Sequence, residues 1–153
     1  MVQLLVNVDV DDIERAIEFY RAAIGLHLGR RLFDGSVAEM LGASSVIYLL
    51  AKPAGTLPSR QAASVRDYHR HWTPVHLDFE VDDVGRAVDR AVAAGARLEE
   101  EARSFSWGQL ATLSDPFGHG FCLLQFSDRG YDAASSRKEY RGSLCSARLT
   151  TTL

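Results

Sequence analysis

The chain has 153 residues, the size of one domain, and a formal net charge of −3. The acidic balance argues against a nucleic-acid partner, which usually demands an excess of Lys and Arg. No apolar run is long enough for a bilayer and no basic stretch leads an apolar one at the N-terminus, so a cytoplasmic protein is expected.

Leu4 to Val10 reads as the first strand, because its later half alternates apolar and polar side chains. Asp11 is placed as the N-cap of a helix, with Glu14 three residues on completing a capping box. Ile13, Ala16, Ile17, Tyr20, Ala23 and Ile24 recur at helical spacing and form one apolar face. Gly25 ends that helix in a left-handed conformation. Leu26 to Phe33 and Ser36 to Leu41 then flank Asp34-Gly35, a pair suited to the positive φ values of a tight hairpin. After a turn at Gly42-Ala43-Ser44, Val46 to Leu50 reads as a buried strand.

Residues 52–74 hold Pro53, Pro58 and Pro74 and read as an irregular linker, of a length that is often functional. Val75 to Val81 begins the plan again as a strand. Asp82 caps a helix from Val84 to Ala94, with Val84, Ala87, Val88 and Ala91 inward and Gly95 as its stop. Arg97 to Arg103 pairs with Trp107 to Ser114 as a hairpin, and Asp115-Pro116-Phe117-Gly118 fits a type I turn. Gly120 to Phe126 is the last strand, and residues 128–153 form a polar, loosely held tail. Cys122 and Cys145 are the only cysteines, too few for a disulfide scaffold in a domain this large. Cys122 lies in an apolar run and reads as a small buried hydrophobe.

The two halves repeat. Val10-Asp11-Asp12-Ile13-Glu14-Arg15-Ala16-Ile17 matches Val81-Asp82-Asp83-Val84-Gly85-Arg86-Ala87-Val88 at an offset of 71, and Ala22-Ala23 meets Ala93-Ala94 at the same offset. Two copies of one unit pack about a pseudo-twofold axis, and the cleft between them is a natural small-molecule site. The expected fold is α+β, with two tandem βαβββ modules forming a curved mixed sheet around that cleft.

Tandem βαβββ units carrying Ala16 to Gly25, Val75 to Val84, Ala93-Ala94-Gly95-Ala96 and Asp115 to Phe121 resemble the vicinal-oxygen-chelate superfamily. That group includes glyoxalase I, extradiol dioxygenases, and the bleomycin- and fosfomycin-resistance proteins. The resemblance implies one domain over 1–127, made of module one (3–51), the linker (52–74) and module two (75–127), followed by the tail (128–153). Members that bind a divalent metal (zinc, nickel, iron or manganese) draw on the first and last strands of both modules, with His or Gln and then Glu. Carried over, those positions are Leu5, Tyr48, His76 and Cys122, of which only His76 matches. A catalytic zinc needs three protein ligands, so no metal and no other cofactor is expected. His69, His71 and His119 leave a non-standard site open, although His69 and His71 in the linker read more simply as solvated loop residues.

What the resemblance then implies is a cleft that binds a small apolar or aromatic molecule, with Tyr48, Trp72, His76, Trp107 and Cys122 as its ligand-binding residues. Core packing accounts equally well for Trp107. A homodimer is expected, with a linker long enough for module exchange. The alternative is a glyoxalase-type lyase or isomerase, or a dioxygenase-like enzyme, using His76 as general base or as part of a non-standard metal site. A structural role without ligand is the third reading.

Overall fold

The computed structural model describes residues 1–135. Module one runs β1 (Val6–Val10), α1 (Ile13–Ile24), β2 (His27–Leu32), β3 (Val37–Leu41) and β4 (Ile47–Ala51). Module two runs β5 (Leu77–Glu80), α2 (Val84–Ala93), β6 (Arg97–Phe105), β7 (Gly108–Ser114) and β8 (Gly120–Phe126). Each module forms a four-stranded mixed sheet, ordered β1-β4-β3-β2 and β5-β8-β7-β6. In both, the first strand pairs parallel with the last and the other ladders are antiparallel. The expected pair of βαβββ modules is therefore the observed one. Cys145 and the tail beyond residue 135 lie outside the described residues.

The N-cap of each helix lies one residue later than expected. Asp12 and Asp83, in extended conformation, accept from the backbone N–H groups of Arg15 and Arg86 and are the N-caps, in place of Asp11 and Asp82. The cap side chain must reach the third helical N–H, and only the second aspartate of each Asp-Asp pair is in range. Glu14 completes no capping box; its carboxylate instead pairs with Arg31 of β2 at 2.7 Å. Gly25, at φ +87°, ends α1 as expected.

The core lies between the helices and one face of each sheet. Val8, Val10, Leu49, Leu113 and Leu123 cover the helices from the sheets, and the small Ala16, Ala23, Ala87 and Ala91 let α1 and α2 approach closely. Phe19, 2 % exposed, belongs to this core although the helical pattern passed over it. It meets Phe121 edge-to-face at 6.3 Å, so module one inserts an aromatic ring against module two.

Other boundaries moved. The ladders start at Val6 and Leu77, which leaves Leu4-Leu5 and Val75-His76 ahead of the strands. In the first hairpin, Phe33, Asp34 and Gly35 all take positive φ, and the expected Asp34-Gly35 turn, closed by the Ser36 N–H on the Phe33 carbonyl, overlaps a second turn over Phe33-Asp34. In the second hairpin β6 extends to Phe105, and Trp107 sits in the turn rather than in a strand. The Asp115–Gly118 turn forms as expected, closed by the Gly118 N–H on the Asp115 carbonyl.

The linker carries no strand or helix, yet it is docked. Arg66 donates to Asp9 of β1 at 2.7 Å and to the Leu57 carbonyl at 2.8 Å. The Tyr68 hydroxyl donates to the Lys52 carbonyl, and the His71 N–H donates to the Gly118 carbonyl. Gly118 is required here twice over: its φ is +86°, and a Cβ would collide with the His69 carbonyl.

Candidate cleft across module two

On β5 and β8, alternate side chains point away from the helices. Leu77, Phe79, Phe121 and Leu123 join the core cluster, whereas Asp78 and Cys122 do not and stand on the opposite face. Asp78 and Cys122 are partners across the parallel ladder. His76, two residues before Asp78, shares its face, and its Nε2 lies 3.2 Å from Asp78 Oδ1. Thr112 of β7 pairs with Cys122 and completes this patch.

Over the patch lies the linker. The Arg70 guanidinium spans the sheet and forms a two-point ion pair with Glu99 at 2.5 and 3.0 Å. That contact holds the Glu99 carboxyl below its ordinary value. Gly120 is the floor on which the guanidinium lies, because a Cβ there would press on Arg70 Nη2. Arg70, Trp72, Thr73, His76, Thr112, Gly120, Phe121 and Cys122 enclose a cavity of about 250 Å³. A second cavity, of about 390 Å³, opens between β1 and β5 and is lined chiefly by apolar side chains such as Val6, Val8, Val75, Leu77 and Phe79. The two share Thr73, His76, Gly120 and Phe121, so they adjoin, with His76 at the partition.

Burial and the neighbouring Asp78 charge push the Cys122 thiol up to about 11. That shift favours the neutral thiol over the thiolate. Tyr48 stands apart. Its hydroxyl donates to Glu39, whose buried carboxylate also accepts a two-point contact from Arg30. Arg30 holds the Glu39 carboxyl below its ordinary value.

The expected residues therefore separate. Trp72, His76 and Cys122 line one cavity. Tyr48 belongs to the Glu39–Arg30 group of module one. Trp107 is also elsewhere: it stacks on Phe105 at 5.0 Å and packs against Phe126 and Tyr131 at the far end of the β6–β7 hairpin. Sequence reasoning missed Arg70, Thr112 and Asp78. The signal for Asp78 was present in His76-x-Asp78, two side chains on one strand face beside Cys122.

His71 and His119 use their ring nitrogens on protein. His119 Nε2–H donates to the Asp9 carbonyl at 2.7 Å, and His71 Nδ1–H donates to the His69 carbonyl at 2.9 Å. The remaining contact, His119 Nδ1 to His71 Nε2 at 3.0 Å, joins the two rings. All four ring nitrogens face a protein atom, and the contact between the rings is a hydrogen bond when one of those two nitrogens carries a proton. His69 pairs with Asp67 on the surface. Among the described residues, His69, His71 and His119 do not bring three donor atoms within 4.8 Å of one another.

A glyoxalase-like domain model matches residues 5–124. The chain belongs to the glyoxalase-like domain family. Its relatives include the anthracycline biosynthesis protein DauV of Streptomyces sp. (strain C5), 31% identical over 135 residues, covering 85% of this chain and 43% of that protein. A putative glyoxylase of Mycobacterium tuberculosis is 31% identical over 119 residues, covering 75% of this chain and 40% of its own length. The chain thus spans less than half the length of these relatives. Among solved structures, the fosfomycin resistance protein FosX of Listeria monocytogenes superposes with a TM-score of 0.63 at 16% identity, covering 84% of this chain and 96% of that one. An antibiotic binding protein from Streptomyces sp. CB03234 gives a TM-score of 0.58 at 23% identity, covering 83% of this chain and 97% of that one. These two share the fold.

The four-position metal set of the wider superfamily does not fit this glyoxalase-like chain. Leu5 offers no donor atom and is 54 % exposed, and the Tyr48 hydroxyl is engaged by Glu39. No helix among the described residues is long and apolar enough to cross a membrane.

Proposed function

We propose that this protein binds a small, largely apolar or aromatic molecule in the two-lobed cleft around His76, without the superfamily's two-module metal centre. The observation that carries this reading is the pair of adjoining cavities with His76 between them. Apolar walls with a few placed polar groups are what a ligand site of this size requires. Trp72, 79 % exposed in the linker, has no packing role that accounts for its position at the cavity rim, and its ring is free to stack on a flat ligand. The relative named for anthracycline biosynthesis supports a planar aromatic ligand. The homodimer remains part of the proposal, supported by the exposed apolar side chains Leu4, Leu5 and Val75.

A thermal-shift panel on chelator-treated protein tests this, using a hydroxyanthraquinone, catechol, a glutathione adduct and a fosfomycin-type antibiotic. A ligand that binds only the folded state raises the melting temperature by mass action. Stabilisation by an aromatic member, lost in Trp72→Ala, is the expected result. Stabilisation by none of them, or one indifferent to Trp72, contradicts it.

A second reading is an enzyme of lyase or isomerase type. Its support is the 3.2 Å contact between His76 Nε2 and Asp78 Oδ1, which would orient the ring and leave Nδ1 free to take a substrate proton. In that case His76→Ala abolishes turnover and leaves ligand affinity nearly unchanged. Equal loss of both returns the protein to a binding role.

A further inference from the structure

His76, Asp78 and Cys122 bring a nitrogen, an oxygen and a sulfur donor within 4.8 Å of one another. Among the described residues this is the one such cluster. The ladder fixes two of the three: Asp78 and Cys122 are partners on neighbouring parallel strands. His76 lies just ahead of β5 and places its Nε2 3.2 Å from Asp78 Oδ1. Two of the three donors line the 250 Å³ cavity, so a cation held there keeps one side open to it.

Three protein ligands with an open fourth position are the composition of a reactive zinc centre, not of a closed structural one. The mixed donor set favours borderline-soft ions over magnesium or calcium, which take oxygen alone. The set shares His76 and Cys122 with the two-module arrangement above but replaces its module-one ligands with Asp78. All three donors come from module two, and Asp78 is not among the positions that arrangement uses.

We propose that module two holds a divalent cation of the zinc class on His76, Asp78 and Cys122, with no ligand from module one. Binding breaks the Cys122 S–H bond, forms a metal–sulfur bond and releases the proton to solvent. His76 binds through one neutral ring nitrogen and Asp78 through one carboxylate oxygen.

Cobalt(II) tests this directly, because a thiolate ligand gives it a charge-transfer absorption in the near ultraviolet. The full-length chain with Cys145→Ser, chelator-treated and kept reduced, is titrated with cobalt(II) and then with zinc. The expected result is a saturable band, stoichiometric with the chain, that zinc displaces. Cys122→Ser removes the band while the far-ultraviolet circular dichroism is unchanged. His76→Ala and Asp78→Asn each weaken cobalt affinity at least about tenfold, and Leu5→Ala leaves it unaltered. Absence of a band overturns the proposal, and so does a band that survives in Cys122→Ser. Affinity indifferent to both His76 and Asp78 overturns it too, by reducing the site to a lone thiol. Ligand binding by the chelator-treated chain is read separately, so failure with cobalt leaves the proposed function standing.

Discussion

At the residue scale, the cleft depends on side chains that are absent as much as on those present. Gly118 and Gly120 let the linker lie against module two, the first under the His69 carbonyl and the second under Arg70. Gly118→Ala forces a Cβ into a left-handed backbone and against that carbonyl. It should cost at least about 1–2 kcal/mol in urea unfolding and speed proteolysis within residues 66–71. Unchanged stability and unchanged cleavage would show that the linker does not rest on this turn. Glu39 supplies the pH test. Its carboxyl is held below the ordinary value of 4.5 by Arg30, so it binds protons more weakly when folded. Its contribution is therefore present above pH 4.5 and lost as pH falls below it. From about pH 6 to about pH 3 the urea midpoint should fall further in the wild type than in Glu39→Gln. Parallel decline would remove Glu39 from the acid response.

At the element scale, the repeat carried most of the fold and also produced a repeated error. An offset of 71 placed both modules correctly, because apolar spacing and Gly25 and Gly95 are local signals. The N-caps were misplaced by one residue in both copies, because an Asp-Asp pair offers two caps and only backbone geometry selects between them. Removing Asp83 with Ala should cost about 1 kcal/mol, and Asp82→Ala distinctly less, as read from thermal or urea unfolding. The reverse order would restore the first aspartate as cap. The site was less legible than the elements. His76 and Cys122 stood out by type, but Asp78 looked like the polar half of an alternating strand, and only the β5–β8 register put it beside Cys122. Arg70 and Thr112 reach the cavity through linker docking and sheet pairing, which no local pattern encodes. Trp107 misled for the same reason: its partners Phe126 and Tyr131 arrive from later in the chain.

At the scale of the whole molecule, two near-copies have diverged in what their sheets carry. Module one closes its face with Glu39, Arg30 and Tyr48, which satisfy one another. Module two leaves His76 and Cys122 facing a cavity roofed by the linker, with Asp78 beside them. The central claim is that this cavity is the ligand site, and the two tryptophans allow it to be tested directly. Trp72 lines the cavity and Trp107 lies in the aromatic group at the hairpin turn. Trp107→Phe leaves Trp72 as the sole indole reporter. In that variant a bound hydroxyanthraquinone should quench the emission saturably, and adding Thr112→Phe to fill the cavity should abolish the quenching without unfolding the chain. Quenching that persists with Thr112→Phe, or that appears only when Trp107 is the surviving tryptophan, would contradict the account.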